Sequence, residues 1–127
     1  MKKEVPNSLR TWFIIHFFID ILFAVPLMFF SVIFLSFLGF SIIDPLMPRL
    51  VAAALIGIGS VSFISRNKGI EVYSALLNLK IIWSLSAIFG ILISLDRNTP
   101  IFLFVALGIF ALFSCIWVYY KIILSKF

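Results

Sequence analysis

The chain has 127 residues, of which 64% are hydrophobic and 12% charged, and its formal net charge is +5. A soluble domain carries about 25% charged residues, so this composition excludes an ordinary water-soluble domain. No polar segment outside the apolar runs is longer than about a dozen residues, so no separate soluble domain fits. We expect a single transmembrane domain over residues 1–127, with any function inside the membrane or at its rim.

Four apolar segments are each long enough to cross a bilayer, since a hydrocarbon core of about 30 Å needs about 20 helical residues. Lipid-exposed backbone must satisfy its own hydrogen bonds, and these continuous runs lack the alternation of a barrel strand, so helices are expected. The sequence therefore predicts an all-α fold, a compact bundle of four transmembrane helices. The predicted helices cover about residues 8–38, 46–65, 70–95 and 100–124.

The first segment is too long for a perpendicular span. It can tilt, kink at Pro26, or end in an interfacial piece near Gly39, and the sequence leaves these alternatives open. Asn7 and Ser8 are candidate caps at its start. A similar turn pattern, Asp44-Pro45 and Asp96 to Pro100, precedes the second and fourth helices and suggests two helical hairpins of like design.

Small residues suggest where helices pack closely. Ala53 and Gly57 form a small-x-x-x-small pair in the second helix, with Ser60 on the same face and Gly59 beside it. The fourth helix carries a comparable set, which consists of Gly108, Ala111 and Cys115. We interpret both sets as packing surfaces.

Lysine and arginine are distributed unequally between the two sides of the predicted membrane topology. One side carries Lys2, Lys3, Arg10, Arg66, Lys68, Lys121 and Lys126, whereas the other carries Arg49 and Arg97, each accompanied by an aspartate. Because basic flanks remain cytoplasmic, both termini are predicted to be cytoplasmic in a multi-pass protein of the cell membrane. Trp12, Trp117, Tyr119 and Tyr120 are consistent with aromatic belts on that side.

Two charged residues fall deep inside predicted spans. Asp20 lies about 12 Å beyond interfacial Trp12, and Lys80 lies about 15 Å beyond Ile70, both measured from the cytoplasmic side. An ionisable group in a span is costly and needs a partner or water. Since the depths agree and both helices run in the same direction, we predict a buried Asp20–Lys80 ion pair.

His16 lies one helical turn before Asp20, on the same face. The two residues form a ladder towards Lys80. This arrangement suits a proton path or an anchor for the polar group of a ligand; alternatively, His16 donates a hydrogen bond to Asp20 and only helps to hold the helices in register.

The third predicted helix carries polar residues on two stripes. Tyr73, Lys80 and Ser84 share one face, and Asn78 lies on a second. Asn78 is either a ligand contact or an interhelical hydrogen-bonding residue. Trp83 either walls a pocket beside Lys80 or faces lipid. The hypothetical ligand-binding set is therefore His16, Asp20, Tyr73, Asn78, Lys80, Trp83 and Ser84.

Several chemistries lack their signatures. The sequence has no H-E-x-x-H, G-x-S-x-G or phosphate-loop motif, and its lone histidine and lone Cys115 cannot supply a metal cluster. We expect no catalytic residues, no metal and no cofactor, and the sequence does not indicate an enzyme. The basic residues form no continuous stripe, so nucleic acid is not an expected partner.

The layout Asp44-Pro-Leu-Met-Pro-Arg49, which leads into a helix with Gly57 and Gly59 and closes on Arg66, resembles the DoxX-like small four-helix membrane proteins. The resemblance covers about half of the chain. It implies a compact four-helix bundle, in a group of which some members are associated with quinone-linked oxidoreductases.

Three functions are compatible with these patterns. The first is binding of a lipid-like or quinone-like small molecule in an intramembrane polar site lined by aromatic residues. The second is a small, oligomeric transporter or channel subunit that uses Asp20 as a protonatable carboxylate, although Lys80 argues against cation transport. The third is a structural subunit of a larger membrane complex. The expected partners are membrane lipid, a hydrophobic small molecule, and further copies of the chain or other subunits.

Overall fold

A computed structural model describes residues 4–41 and 43–126 of the chain. It contains five α-helices: α1 (Asn7–Phe29), α2 (Ser31–Phe37), α3 (Leu46–Ile64), α4 (Ile70–Ser94) and α5 (Ile101–Ser125). No strand occurs in the described residues. All helices except α2 are long and apolar enough to cross a membrane, which confirms the predicted all-α fold with four transmembrane helices.

The helices group into two compact units. The amino-terminal unit comprises Pro6–Asn67, in which α1 packs against α3. The carboxy-terminal unit contains the chain from Lys68 onward, in which α4 packs against α5. Each unit is a hairpin of two antiparallel spanning helices, as the paired turn motifs predicted.

The first apolar segment is two helices. α1 continues through Pro26 and ends at Phe29, and the break falls at Phe30, whose φ of −132° and ψ of 35° are not helical. The Phe30 N–H still donates to the Pro26 carbonyl over 2.8 Å, and the Phe34 N–H donates to the Phe30 carbonyl over the same distance. The 23 residues of α1 are about 34 Å long, enough for a complete span by themselves.

α2 ends in a Schellman motif. The Phe40 N–H donates to the Leu35 carbonyl (3.0 Å) and the Gly39 N–H donates to the Ser36 carbonyl (3.1 Å). Gly39 has φ 99°, a left-handed conformation that glycine adopts without steric cost. Of the alternatives that the sequence left open, an interfacial piece at Gly39 is not the one formed: the separate helix is Ser31–Phe37, and it ends before Gly39.

Both hairpin turns use the same aspartate contact. The Asp44 Oδ1 accepts a hydrogen bond from the Leu46 N–H (2.9 Å), and the Asp96 Oδ1 accepts one from the Asn98 N–H (2.8 Å). Each carboxylate thus bonds the amide two residues ahead, in the Asx-turn pattern. Pro45 and Pro100 then occupy the N-cap positions of α3 and α5.

The predicted Asn7–Ser8 cap on α1 is wrong. Pro6 is the N-cap residue, no side chain caps the helix, and the Pro6 carbonyl accepts from the N–H groups of Leu9 and Arg10. The fixed φ of proline, here −56°, orients the chain for helix entry, so α1 begins without a side-chain cap.

The buried faces of the helices differ from the predicted small-residue surfaces. A Cβ added at Gly57 or Gly108 would meet nothing within 4 Å, and Ala111 and Cys115 are exposed. Gly57, Gly108, Ala111 and Cys115 thus lie outside the faces that pack within each hairpin, whereas the predicted small residue Gly59 lies on the packing face of α3. The buried positions are Pro48, Ala52, Leu55, Gly59 and Ser62 in α3, and Phe113, Ser114, Trp117, Tyr120 and Leu124 in α5.

Candidate functional site: buried polar groups in the spanning helices

The spanning helices bury several polar side chains. Four of them are on residues predicted for the site: His16 (7% exposed), Asp20 (4%), Lys80 (1%) and Ser84 (2%). Tyr73, also predicted, is completely buried. Burial of charged groups in a helix this apolar is costly unless polar or aromatic groups surround them, so the neighbours of each one matter.

In the amino-terminal unit, α1 brings His16 and Asp20 together. The His16 Nε2 lies 3.4 Å from the Asp20 Oδ1, as expected for residues one helical turn apart. The arrangement places the imidazole beside the carboxylate and can present both groups to a ligand. The predicted proximity of His16 and Asp20 on one face of α1 is therefore confirmed, and the continuation of this ladder towards Lys80 stays a prediction.

Asp20 also packs closely on α3. A Cβ built on Gly59 would lie 3.0 Å from the Asp20 Cβ and 3.1 Å from its Oδ2. Both distances are shorter than normal van der Waals contacts, so Gly59 provides the room in which the carboxylate fits. We call His16, Asp20 and Gly59 the aspartate cluster.

In the carboxy-terminal unit, Lys80 of α4 points at Trp117 of α5. The Lys80 Nζ lies 4.9 Å from the centroid of the Trp117 ring, within the range of a cation–π interaction. Trp117 is 1% exposed, so the contact is desolvated and correspondingly strong. We call Lys80 and Trp117 the lysine cluster.

Buried hydroxyl groups accompany Lys80 in this hairpin. The Ser84 Oγ donates to the Ile81 carbonyl (3.1 Å) within α4, and Ser114 of α5 is 6% exposed. Tyr73, Leu77, Lys80 and Ser84 together make the buried stripe of α4. The predicted face of Tyr73, Lys80 and Ser84 is thus the packing face of the helix.

Two predicted site residues lie away from that stripe. Asn78 is exposed, and the structure does not bring it to the buried face. Trp83 is half-buried and packs edge-to-face on Phe110 of α5, with ring centroids 6.4 Å apart. Trp83 therefore contributes to the α4–α5 contact.

Sequence reasoning missed Trp117 as a neighbour of Lys80. Trp117 was assigned to an aromatic belt, yet it is buried, as is Tyr120, whereas Tyr119 is 58% exposed and suits that role. A signal was present, since Lys80 lies about 15 Å from the start of α4 and Trp117 about 12 Å from the end of α5. In a hairpin, such positions face each other.

The Asp20–Lys80 ion pair stays a prediction from the sequence, because its two residues belong to different units. Among the residues that the structure describes, no group of three or more His, Cys, Asp or Glu side chains could hold a metal ion.

Comparisons of the chain with protein-family models, curated proteins and solved structures find no match.

Proposed function

We propose that this protein binds a lipid-like or quinone-like small molecule through buried polar groups of its spanning helices. The observation that carries the proposal is the lysine cluster. Lys80 is 1% exposed, and its ammonium group lies against the Trp117 ring in an apolar helix pair. A lysine is expensive to place in such a position, and intramembrane ionisable residues commonly mark substrate or ligand sites.

The chemistry of the two clusters limits the class of ligand. An ammonium group donates hydrogen bonds and attracts a carbonyl or phosphate oxygen, and the carboxylate and imidazole of the aspartate cluster suit a hydroxyl group. The apolar surroundings suit a hydrocarbon or isoprenoid chain. The DoxX-like resemblance, in a group partly associated with quinone-linked enzymes, is the reason that quinones are included.

Membrane location is part of the same proposal. The spanning helices make the chain a multi-pass membrane protein. We place it in the cell membrane with both termini in the cytoplasm, which the distribution of lysine and arginine supports.

The test is mass spectrometry of small molecules that co-purify with the full chain from cell membranes. We expect the wild-type chain to retain a lipid or quinone in stoichiometric amount, and Lys80→Met to lose most of it. Asp20→Asn reports on the aspartate cluster in the same way. Lys126→Met is the matched control, because it removes an equal charge from an exposed position at the end of the chain and should retain the molecule.

Two outcomes contradict the proposal. One is a wild-type chain, purified in mild detergent, that retains no molecule beyond bulk lipid. The other is a Lys80→Met variant that keeps its fold and its full complement of the molecule.

A structural role in a larger complex is the second candidate. It is favoured by the contacts inside each hairpin, since Asp20 of α1 packs on Gly59 of α3 and Lys80 of α4 lies against Trp117 of α5, so both clusters can serve helix pairing. In that case Asp20→Asn and Lys80→Met each lower the melting temperature. The double variant recovers part of that loss, because neither half of the predicted ion pair is left without its partner. Retention of the molecule is unaffected in all three variants.

A further inference from the structure

The open end of the α1–α3 hairpin, where α1 begins and α3 ends, carries two arginines held by backbone carbonyls. The Arg10 Nη1 donates to the carbonyl of Arg66, and the Arg66 Nη1 donates to the carbonyl of Phe63 over 2.8 Å. Both residues are half-buried. Two guanidinium groups are therefore positioned around the last turn of one helix.

Aromatic packing restricts Arg66 further. Its guanidinium carbon lies 4.2 Å from the centroid of the Phe63 ring, and that ring stacks on Phe17 of α1, with centroids 4.7 Å apart. An arginine stacked on a ring and bonded to a carbonyl loses little further conformational freedom on binding a ligand. The side chain is thus preorganised.

The charge of this end is positive. Within the amino-terminal unit, Asp20 lies about 15 Å along α1 from Arg10, and Asp44 lies in the turn at the opposite end of the hairpin. Glu4 and Glu71 are close to this end in the sequence, but they are outnumbered by Lys2, Lys3, Arg10, Arg66 and Lys68. Carbonyl oxygens orient a guanidinium without cancelling its formal charge. The partial charges of the α1 N-terminus and the α3 C-terminus have opposite sign and offset each other.

We propose that Arg10 and Arg66 form a binding site for the headgroup of an anionic phospholipid. A guanidinium is planar and matches the oxygens of a phosphodiester with paired hydrogen bonds. The site stands at the end of two membrane-spanning helices, the level at which lipid phosphates lie. It is independent of the proposed intramembrane ligand site, since its residues are outside both clusters.

The opposite end of the hairpin provides the contrast. There the Arg49 Nε donates to the carbonyl of Met28 (3.3 Å), so one arginine caps the end of α1, and Asp44 lies five residues before it. A single arginine with a nearby carboxylate offers no net positive pair. We therefore assign headgroup binding to the Arg10–Arg66 end.

The experiment is native mass spectrometry of the full chain in detergent with added dioleoylphosphatidylglycerol or dioleoylphosphatidylcholine, which share acyl chains and differ in headgroup charge. The wild-type chain should retain the anionic lipid about 25-fold better, because its two arginines act together. R10Q/R66Q should bring the ratio close to one, because each arginine near an anionic surface contributes about a fivefold preference. R97Q, an exposed arginine in the α4–α5 turn, is the control and should keep the wild-type ratio.

Further measurements distinguish the effect of charge from that of guanidinium geometry, and a lipid headgroup from free phosphate. R10K/R66K keeps both charges and loses the planar fork, so its ratio should fall between those of the wild type and R10Q/R66Q. Inorganic phosphate at the lipid concentration should not displace the lipid, because the site is assigned to a headgroup anchored in the membrane. Circular dichroism and gel filtration establish that each variant is folded.

Four results overturn the proposal. The first is a wild-type chain that shows no preference between the two lipids. The second is a folded R10Q/R66Q variant that keeps the wild-type ratio, and the third is an R97Q variant whose ratio falls as far as that of R10Q/R66Q. The fourth is displacement of the lipid by inorganic phosphate. If R10K/R66K and the wild type show the same lipid ratio, the planar shape of the guanidinium group is not what recognises the headgroup.

Discussion

Asp20 projects from α1 onto Gly59 of α3, where the missing side chain leaves room for the carboxylate. The Gly59 backbone would place a Cβ 3.0 Å from the Asp20 Cβ, which is attached directly to the backbone of α1 and cannot rotate away. Gly59 thus makes room for the Asp20 side chain, as the short distance to the Asp20 Cβ indicates. Gly57, two residues earlier, has open space around it.

Gly59→Ala should lower the stability of the protein by about 1–3 kcal/mol, since the added methyl group must separate α1 from α3 or displace Asp20. Thermal unfolding in detergent measures the change. Gly57→Ala on the same helix is the control: it adds the same methyl group where nothing lies within 4 Å, and its higher helix propensity should stabilise by up to about 1 kcal/mol. Equal effects at the two glycines would contradict the close contact.

The Lys80–Trp117 contact should show as a coupling free energy of about 2 kcal/mol in a double-mutant cycle of Lys80→Met and Trp117→Leu. Each single variant also changes packing, and the cycle removes that contribution. Phe110→Leu combined with Lys80→Met is the control, because the Phe110 ring packs on Trp83, so those two changes should be additive. A Trp117 cycle that is equally additive argues against the cation–π interaction.

The helix pairs are joined by side chains as well as by packing. The Lys121 Nζ of α5 donates to the Ser74 Oγ of α4 over 2.5 Å and to the Ser74 carbonyl over 3.3 Å. This contact lies at the open end of the α4–α5 hairpin. It is the counterpart of the arginine–carbonyl contacts of α1 and α3.

Ser74→Ala should lower stability by about 1–2 kcal/mol, because it removes a charge-assisted hydrogen bond between two helices. The measurement is again thermal unfolding in detergent. Ser94→Ala is the matched control: the Ser94 Oγ donates to the Gly90 carbonyl of its own helix and is exposed, so its loss should be close to neutral. If Ser94→Ala costs as much as Ser74→Ala, the interhelical bond is not the cause.

Apolar length predicted the spanning helices well. The predicted segments 46–65, 70–95 and 100–124 differ by one residue at most at either end from α3, α4 and α5. The break at Phe30 inside the predicted segment 8–38 was not predicted, because Pro26 is the only residue in that stretch that commonly interrupts a helix. Proline removes one hydrogen bond yet can remain inside a helix whose neighbouring bonds persist, as the Phe30 to Pro26 bond does.

The candidate site was predicted in part. His16 and Asp20 share a face of α1 by spacing alone, and Tyr73, Lys80 and Ser84 share one on α4, and all five are buried. The exposure of Asn78 and the burial of Trp117 were not predicted. Nearly every position of these helices is apolar, so the hydrophobic pattern does not indicate which face packs and which meets lipid.

At the scale of the whole chain, both hairpins have a basic open end and a turn in which arginine and aspartate balance. The open ends carry Arg10 and Arg66 in one hairpin and Lys68, Glu71, Lys121 and Lys126 in the other, whereas the turns carry Asp44 with Arg49 and Asp96 with Arg97. The same asymmetry in each hairpin is a consistent signal for orientation.

Single cysteines at two loop positions test that orientation. In a Cys115→Ser background, which removes an exposed native thiol, Asn98→Cys should react with a membrane-impermeant maleimide added to intact cells. Asn67→Cys should react only after permeabilisation. Both asparagines are exposed in the structure, so accessibility to reagent depends on the side of the membrane; the reverse pattern refutes cytoplasmic termini.

The contact of Asp20 with Gly59 has a consequence for biosynthesis. About 40 residues separate the two positions, and at a synthesis rate of about 5–20 residues per second α3 emerges several seconds after Asp20. During that interval α1 alone carries a carboxylate that costs about 2.5–3.5 kcal/mol at the centre of a membrane. Packing of α3 removes this carboxylate from lipid, so the hairpin is a more favourable unit of insertion than α1 alone.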